Sequence, residues 1–317
     1  MLPSHGRYGY SPITERRPYR WPNGTGLAVY VALGVEEYAF GQGLAENILP
    51  GVTQPDMVNT AWRDYGNRVG GFRLLDRLAS RGIAPAILLN TEVYDHAPAL
   101  VRAARAAGAE IVGHGRANSD TLAGMEPGEE LAYLRAVQDR ITREEGRPAG
   151  GWSSPWLAHT PATIDLLPQA GFSYLMDLRM DDQPVWLTTT TGPLLSLPYA
   201  IELNDSSTII GRQTSARAFA RMIVDEFDEM LAASAEQPLV MSLVVHSFIS
   251  GQPFRLRALT EALDHISVHR ERIWLTQPGE IARFIFSNPD LSEPSAAAGP
   301  PGRSRSTTRK RGNSPKG

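Results

Sequence analysis

Side chains that can move protons stand where three apolar runs of this chain end. LAVYVALG (27–34) leads through Val35 into Glu36 and Glu37, AEIVGH (109–114) ends on His114, and LVMSLVVH (239–246) ends on His246. A carboxylate turned inward at such a point could serve as a general base, a metal ligand or a substrate anchor. Alternation along the chain would turn one of the adjacent pair toward a site and the other away. Two solvated loop acids are the plainer reading of the same pair. Imidazole suits proton transfer or metal binding near neutral pH. For His114, followed at once by Gly115, a hydrogen-bonding structural histidine is the alternative. For His246 the two readings balance.

The remaining histidines carry less. His5 is terminal, His96 falls at the start of an expected helix, and His159 lies just beyond Trp156. His265 and His269 are spaced i,i+4 on an expected helix. That spacing can hold a metal, but their neighbours Asp264 and Arg270 favour a solvated face. Trp152-Ser153-Ser154-Pro155-Trp156 places aromatics around a rigid turn and could wall a small-molecule pocket. Asp177, Asp181, Asp182 and Trp186 make a further acidic and aromatic cluster.

These residues need a frame that brings strand ends together. Strand-like and helix-like segments alternate from residue 27 onward. Strands are expected at 27–34, 85–90, 109–114, 149–153, 172–177, 194–198, 239–246 and 272–276. Helices are expected at 69–81, 96–108, 126–145, 160–170, 215–234, 254–270 and 278–287. Such alternation implies a mainly parallel sheet covered by helices. Polar residues follow the C-terminal ends of many different strands, and no G-x-G-x-x-G follows the first. This favours a barrel, whose strand ends open on one face, over a doubly wound sheet with a single switch point. The fold class is therefore α/β, a barrel of mainly parallel strands. It is divided into an N-terminal arm (1–26), the barrel (27–287) and a tail (288–317).

Composition narrows the chemistry. Among 317 residues there is no cysteine, which excludes disulfides, thiolate catalysis and Cys-ligated metals. Both lysines, Lys310 and Lys316, lie in the tail, so the barrel has neither a Schiff-base nor a phosphate-loop lysine. With the tail's six basic and two acidic residues set aside from 31 and 34, residues 1–287 carry 25 basic and 32 acidic side chains, a net of −7. No specific nucleic-acid partner is expected. The tail is rich in Ser, Pro, Gly and Arg and is expected to be disordered. No apolar run approaches the ~18 residues of a membrane helix, and the polar, Pro-rich start lacks a signal-peptide stretch. The expected compartment is the cytoplasm, with no membrane partner.

The order of these motifs resembles the polysaccharide deacetylase superfamily, and within it the branch of cofactor-independent allantoinases and cyclic-imide hydrolases. The resemblance is carried by Arg7-Tyr8-Gly9-Tyr10, Trp21-Pro22, Leu33 through Glu37, Tyr65 through Gly70 and Ala107 through Gly115. It continues in Gly151-Trp152, Gln169 through Tyr174, Leu197-Pro198-Tyr199, Glu202 through Asp205, and His246 through Gly251 with Pro253 and Arg255. It spans about residues 7–285. It implies a distorted (β/α)7-type barrel of the glycoside hydrolase/deacetylase kind, hydrolysis of a carbon–nitrogen bond that is not a peptide bond, and homo-oligomers.

In metal-dependent members an Asp at the first strand end and two histidines of an H-x-x-x-H run hold a divalent ion. Here those positions are Glu36, His114 and Asn118, and the Asp base that precedes the metal Asp is missing, with Gly34 standing nearest. No cofactor is therefore expected. Glu36 and His114 would be the ligands if zinc bound. Pro155-Trp156 is closer to deacetylases of the peptidoglycan type.

The expected activity is hydrolysis of a small cyclic amide, ureide or imide, with a small molecule as the partner. Glu36 (or Glu37) acts as base, His114 orients water or stabilises the oxyanion, and His246 is the acid. Glu37, Asn118, Trp152, Pro155, Asp177, Trp186 and Arg255 are the expected substrate contacts. The alternatives are a metal-dependent N-deacetylase of sugars and, from another class, a barrel that binds a ligand without turnover.

Overall fold

A computed structural model describes residues 4–53 and 55–292. Most of the tail therefore lies outside the described residues. The described chain forms one curled sheet wrapped in helices. The strands are β1 Leu27–Val35, β2 Ala86–Leu89, β3 Glu110–Gly113, β4 Gly151–Trp152, β5 Tyr174–Leu175, β6 Val185–Leu187, β7 Leu194–Ser196, β8 Leu239–His246 and β9 Ile273–Leu275. Their order is β6-β7-β5-β4-β3-β2-β1-β8, with β9 also paired to β1, and every pairing is parallel except β6 with β7. The sheet curls far enough for neighbours of its other end to reach the free edge of β8. Val240 N–H donates to the Asp182 carbonyl and Val244 N–H to the Leu203 carbonyl, both at 2.9 Å. This is the parallel, distorted barrel expected from the sequence.

The two long strands are buried throughout and mostly apolar, as strands covered on both faces are. They lie in register over eight residue pairs, from Leu27 opposite Leu239 to Gly34 opposite His246. Tyr30 crosses the interior to donate to the Pro198 carbonyl at 2.6 Å, tying β1 to the segment after β7.

The helices are α1 Met57–Tyr65, α2 Gly71–Ala79, α3 Val93–His96, α4 Pro98–Ala106, α5 Pro127–Glu145, α6 Thr163–Gln169, α7 Ala216–Ala233, α8 Pro253–Val268 and α9 Pro278–Ser287. The sequence expectation omitted α1, which begins where the Asp56 side chain caps Asn59 N–H. It also omitted β6, which is half-covered and lacks strict alternation. His96 ends α3 instead of opening a helix, because Pro98 starts the next one. The arm is docked. Trp21 is buried in the core and donates to the Leu239 carbonyl, and Arg7 and Arg16 pair with Asp165 and Asp181.

A π-helical turn, Gly66–Gly70, presses on the loop that follows β8. A Cβ on Gly70 would meet the Ser247 carbonyl oxygen at 2.0 Å, and one on Gly251 would meet Gly70 Cα at 2.5 Å. Backbone packs on backbone there, so neither side can yield cheaply. Gly251→Ala is expected to lower stability by about 1–3 kcal/mol, the usual cost of overpacking. A denaturation midpoint equal to that of the unmodified protein would show that the contact is not tight.

Candidate active site

The C-terminal ends of β1, β3, β4, β5 and β8 converge on one buried cluster. Glu36 follows β1, His114 follows β3 and His246 closes β8; each is under 10% exposed, at 4%, 5% and 8%. Glu36 Oε1 lies 3.6 Å from His114 Nε2 and 3.3 Å from His246 Nε2. Its other oxygen, Oε2, is filled by two donors, the Tyr38 hydroxyl at 2.5 Å and the Asn118 amide at 2.9 Å. Asn118 also donates to the Tyr38 oxygen at 2.8 Å. One carboxylate oxygen is thus clamped and the other is left facing the two imidazoles.

Each imidazole is oriented through its far nitrogen. His114 Nδ1 lies 2.8 Å from the Ser153 carbonyl, which can only accept, so Nδ1 carries a proton. In the neutral ring Nε2 is then an acceptor. His246 Nδ1 lies 2.6 Å from Asp205 Oδ1. Asp205 Oδ2 accepts from His246 N–H at 2.9 Å and from the Ser250 hydroxyl at 2.5 Å.

Burial opposes charge on His246, but Glu36 and Asp205 outweigh it and hold the imidazole pKa well above its ordinary value. Burial likewise opposes charge on Glu36, and the two histidines overcome it, so its pKa falls below the usual carboxylate range. The pair is therefore carboxylate and imidazolium. The stability from His246 is full below the ordinary imidazole pKa and is lost as pH rises through the raised one. The stability from Glu36 is present above the ordinary carboxylate pKa and is lost as pH falls through the depressed one.

Gly34 faces this pair. A Cβ there would meet His246 Cδ2 at 2.6 Å and Glu36 Oε1 at 3.2 Å. The side chain missing at Gly34 is thus what lets His246 lie against Glu36.

The expected substrate contacts divide. Asn118 belongs to the cluster. Asp177 is buried beside it, accepting from Ser154 N–H at 2.8 Å, and burial pushes its carboxyl pKa up. Its Oδ2 and the Asn118 Oδ1 are buried without a hydrogen-bond partner. Pro155 is buried and packs near Gly115. Trp152 is wholly buried against Phe172, with its indole N–H on the Ser154 hydroxyl, so it is a core residue beneath the site.

Three expected contacts are not brought into the cluster. Glu37 turns away, as alternation requires, to Asn67 and to His96 at 3.6 Å. Trp186 sits on β6 and packs against Phe286 of α9. Arg255 opens toward a separate cleft with Ile209, Gln213 and Phe254.

Asp205 and Tyr38 are members that the sequence reading assigned no role, and Glu46 is a further acid near the cluster. Glu46 accepts from the Ser206 hydroxyl at 2.7 Å, and burial raises its pKa. Trp156, 38% exposed and in the left-handed region (φ 61), donates its indole N–H to the Asn118 carbonyl at 2.7 Å.

No family model matches the chain. A putative polysaccharide deacetylase of Schizosaccharomyces pombe is 24% identical over 298 residues, 83% of this chain and 91% of the relative. A probable polysaccharide deacetylase from Pseudomonas aeruginosa PAO1 superposes with a TM-score of 0.76 at 24% identity, over 84% of this chain and 93% of that one. The PuuE allantoinase gives a TM-score of 0.76 at 25% identity, over 86% and 94%. The resemblance to the polysaccharide deacetylase superfamily read from the sequence is thus present in both sequence and fold.

With Glu36 and Asp205 together supporting the charged imidazole, His246 should remain protonated above the ordinary imidazole pKa, followed by NMR. Asp205→Asn should move that titration to lower pH. An unchanged His246 titration in the variant would remove Asp205 as a cause.

Proposed function

We propose that this chain, with the fold and sequence likeness of the polysaccharide deacetylase superfamily, hydrolyses a carbon–nitrogen bond of a small cyclic amide, ureide or imide. The observation that carries this reading is the split use of Glu36, whose Oε2 is held by Tyr38 and Asn118 while Oε1 faces both imidazoles. A water between Glu36 Oε1 and His114 Nε2 gives its proton to the carboxylate, and its oxygen bonds to the substrate carbonyl carbon. His114, held by its Nδ1 on the Ser153 carbonyl, turns Nε2 toward that water and orients it. As the tetrahedral intermediate collapses, the C–N bond breaks and His246 passes its Nε2 proton to the departing nitrogen. Asp205 positions His246 and supports its charge. General acid and base groups of this kind supply roughly 10²–10⁴-fold each.

Burial of all three groups suits a small substrate better than a polymer, and the Asn118 Oδ1, buried without a hydrogen bond, suits a substrate with an N–H donor. A metal-free mechanism fits the same atoms. Glu36 Oε2 already accepts from two donors, and the Asn118 amide nitrogen turned toward Glu36 cannot ligate a metal. The metal-dependent deacetylase is the second reading. It is favoured by the fold shared with the Pseudomonas protein and by two Nε2 atoms facing one carboxylate.

Glu36→Gln should cut kcat on the order of 10²-fold or more with little change in KM, while Glu37→Gln should change much less. The assay is a panel of cyclic ureides and imides beside N-acetylated sugars. Equal rates for both variants would remove the carboxylate from the reaction, and a loss confined to the Glu37 variant would reverse the assignment. Prolonged chelation should leave turnover intact. Loss on chelation, with recovery on adding zinc, would select the deacetylase.

A further inference from the structure

We infer that this protein carries a site for a divalent transition-metal ion, zinc being the reference, on the outer helices and away from the barrel mouth. Its protein ligands are Asp228 of α7 with His265 and His269 at the end of α8. Each offers one ligand atom, and these atoms all lie within 4.8 Å of one another. Among the described residues this is the one such group of histidines and acids. The i,i+4 spacing of the histidines was legible in the sequence. The third ligand was not, because it is supplied by the neighbouring helix.

The geometry resembles a preformed site more than a chance surface pairing. The two imidazoles stand with ring centres 5.3 Å apart, and both rest on the buried Phe227 ring, at 5.7 and 5.6 Å. That packing limits their rotation before any ligand arrives. His265 Nε2 is 2.7 Å from Asp228 Oδ1, so one proton occupies the place a metal would take. A metal must push those two atoms apart, and the Asp228 side chain, 54% exposed, has room to swing.

The neighbouring cation is turned elsewhere, with the Arg270 guanidinium donating to the Arg81 carbonyl at 2.7 Å. The C-terminal end of α8 also carries the partial negative charge of its helix, which favours a cation. Two imidazoles and a carboxylate with an open side toward solvent are a ligand set for zinc, nickel or copper, completed by water. An ion there would clip α7 to α8, since each supplies ligands.

The test titrates the full-length protein with zinc by calorimetry, and with cobalt followed by its visible absorption. The expected result is one ion bound outside the barrel, retained in Glu36→Gln and weakened at least ~10-fold in His265→Ala, His269→Ala and Asp228→Asn. At a hundred-fold excess over Kd, zinc should raise the melting temperature of the unmodified protein by roughly 3–5 °C, but not that of the His265→Ala, His269→Ala double variant. Circular dichroism of that double variant without metal establishes that it folds. Zinc binding that survives in it, that disappears in Glu36→Gln, or that is undetectable at millimolar zinc would overturn the site.

Discussion

A negative charge inside a barrel must be matched, and the arrangement around Glu36 follows from that demand. An isolated carboxylate in such a place would take up a proton, and removing one partner of a buried pair typically costs about 3–5 kcal/mol. Glu36 meets the demand with a cation, His246, and two neutral donors, Tyr38 and Asn118. His246 in turn is a buried cation that one carboxylate only partly serves. Asp205 takes its other nitrogen, and Asp205 itself is satisfied by Ser250 and by backbone N–H groups. Charges and hydrogen bonds therefore form a closed chain, and each link fixes the rotamer of the next.

The sheet supplies the placement. Because β1 and β8 are parallel and in register, Gly34 and His246 stand side by side, and Glu36 projects two residues beyond. The short strands β4 and β5 pair with each other over only two residues, leaving the Ser153 carbonyl, the Ser154 N–H and the Asp177 side chain to orient His114 and one another. Asp205 comes from where residues 203–204 join the β8 edge, so curling the sheet and positioning His246 are one event.

Much of this was legible in the chain. Long apolar runs such as 239–246 can only be covered strands, and a histidine or glutamate at their ends marks a polarity change that local pattern detects. Glu36, His114 and His246 were found that way, whereas Asn118 was singled out by the resemblance. Asp205 was not given a role, because its partner is 41 residues away and its own segment is a π-helical turn that no periodicity announces. Tyr38 reads locally as an ordinary aromatic, and its meaning rests on a contact with Glu36. Trp186 and Arg255 were drawn toward the site because composition says which residues are sticky or charged, not which side of a curled sheet they occupy. Asp228 is the same lesson on the outer surface, since a helix pair is invisible to spacing along either helix.

The departures at Gly34 and Asn118 are best understood together, as a matter of charge. The resemblance implies a dication held by an acid and two histidines, with a second acid beside it. Without that dication the same acids would repel one another and each would need its own cation. Here one acid position is Gly34, and the position of the second histidine is an amide that donates to the remaining carboxylate. The first change removes a negative charge and opens space for His246, and the second replaces a ligand lone pair by an N–H. Either change alone would leave the cluster unbalanced, with an unpaired acid in one case and an imidazole nitrogen facing Glu36 Oε2 in the other. Together they leave two carboxylates, Glu36 and Asp205, on either side of one imidazolium, so the cluster is balanced by its own charges.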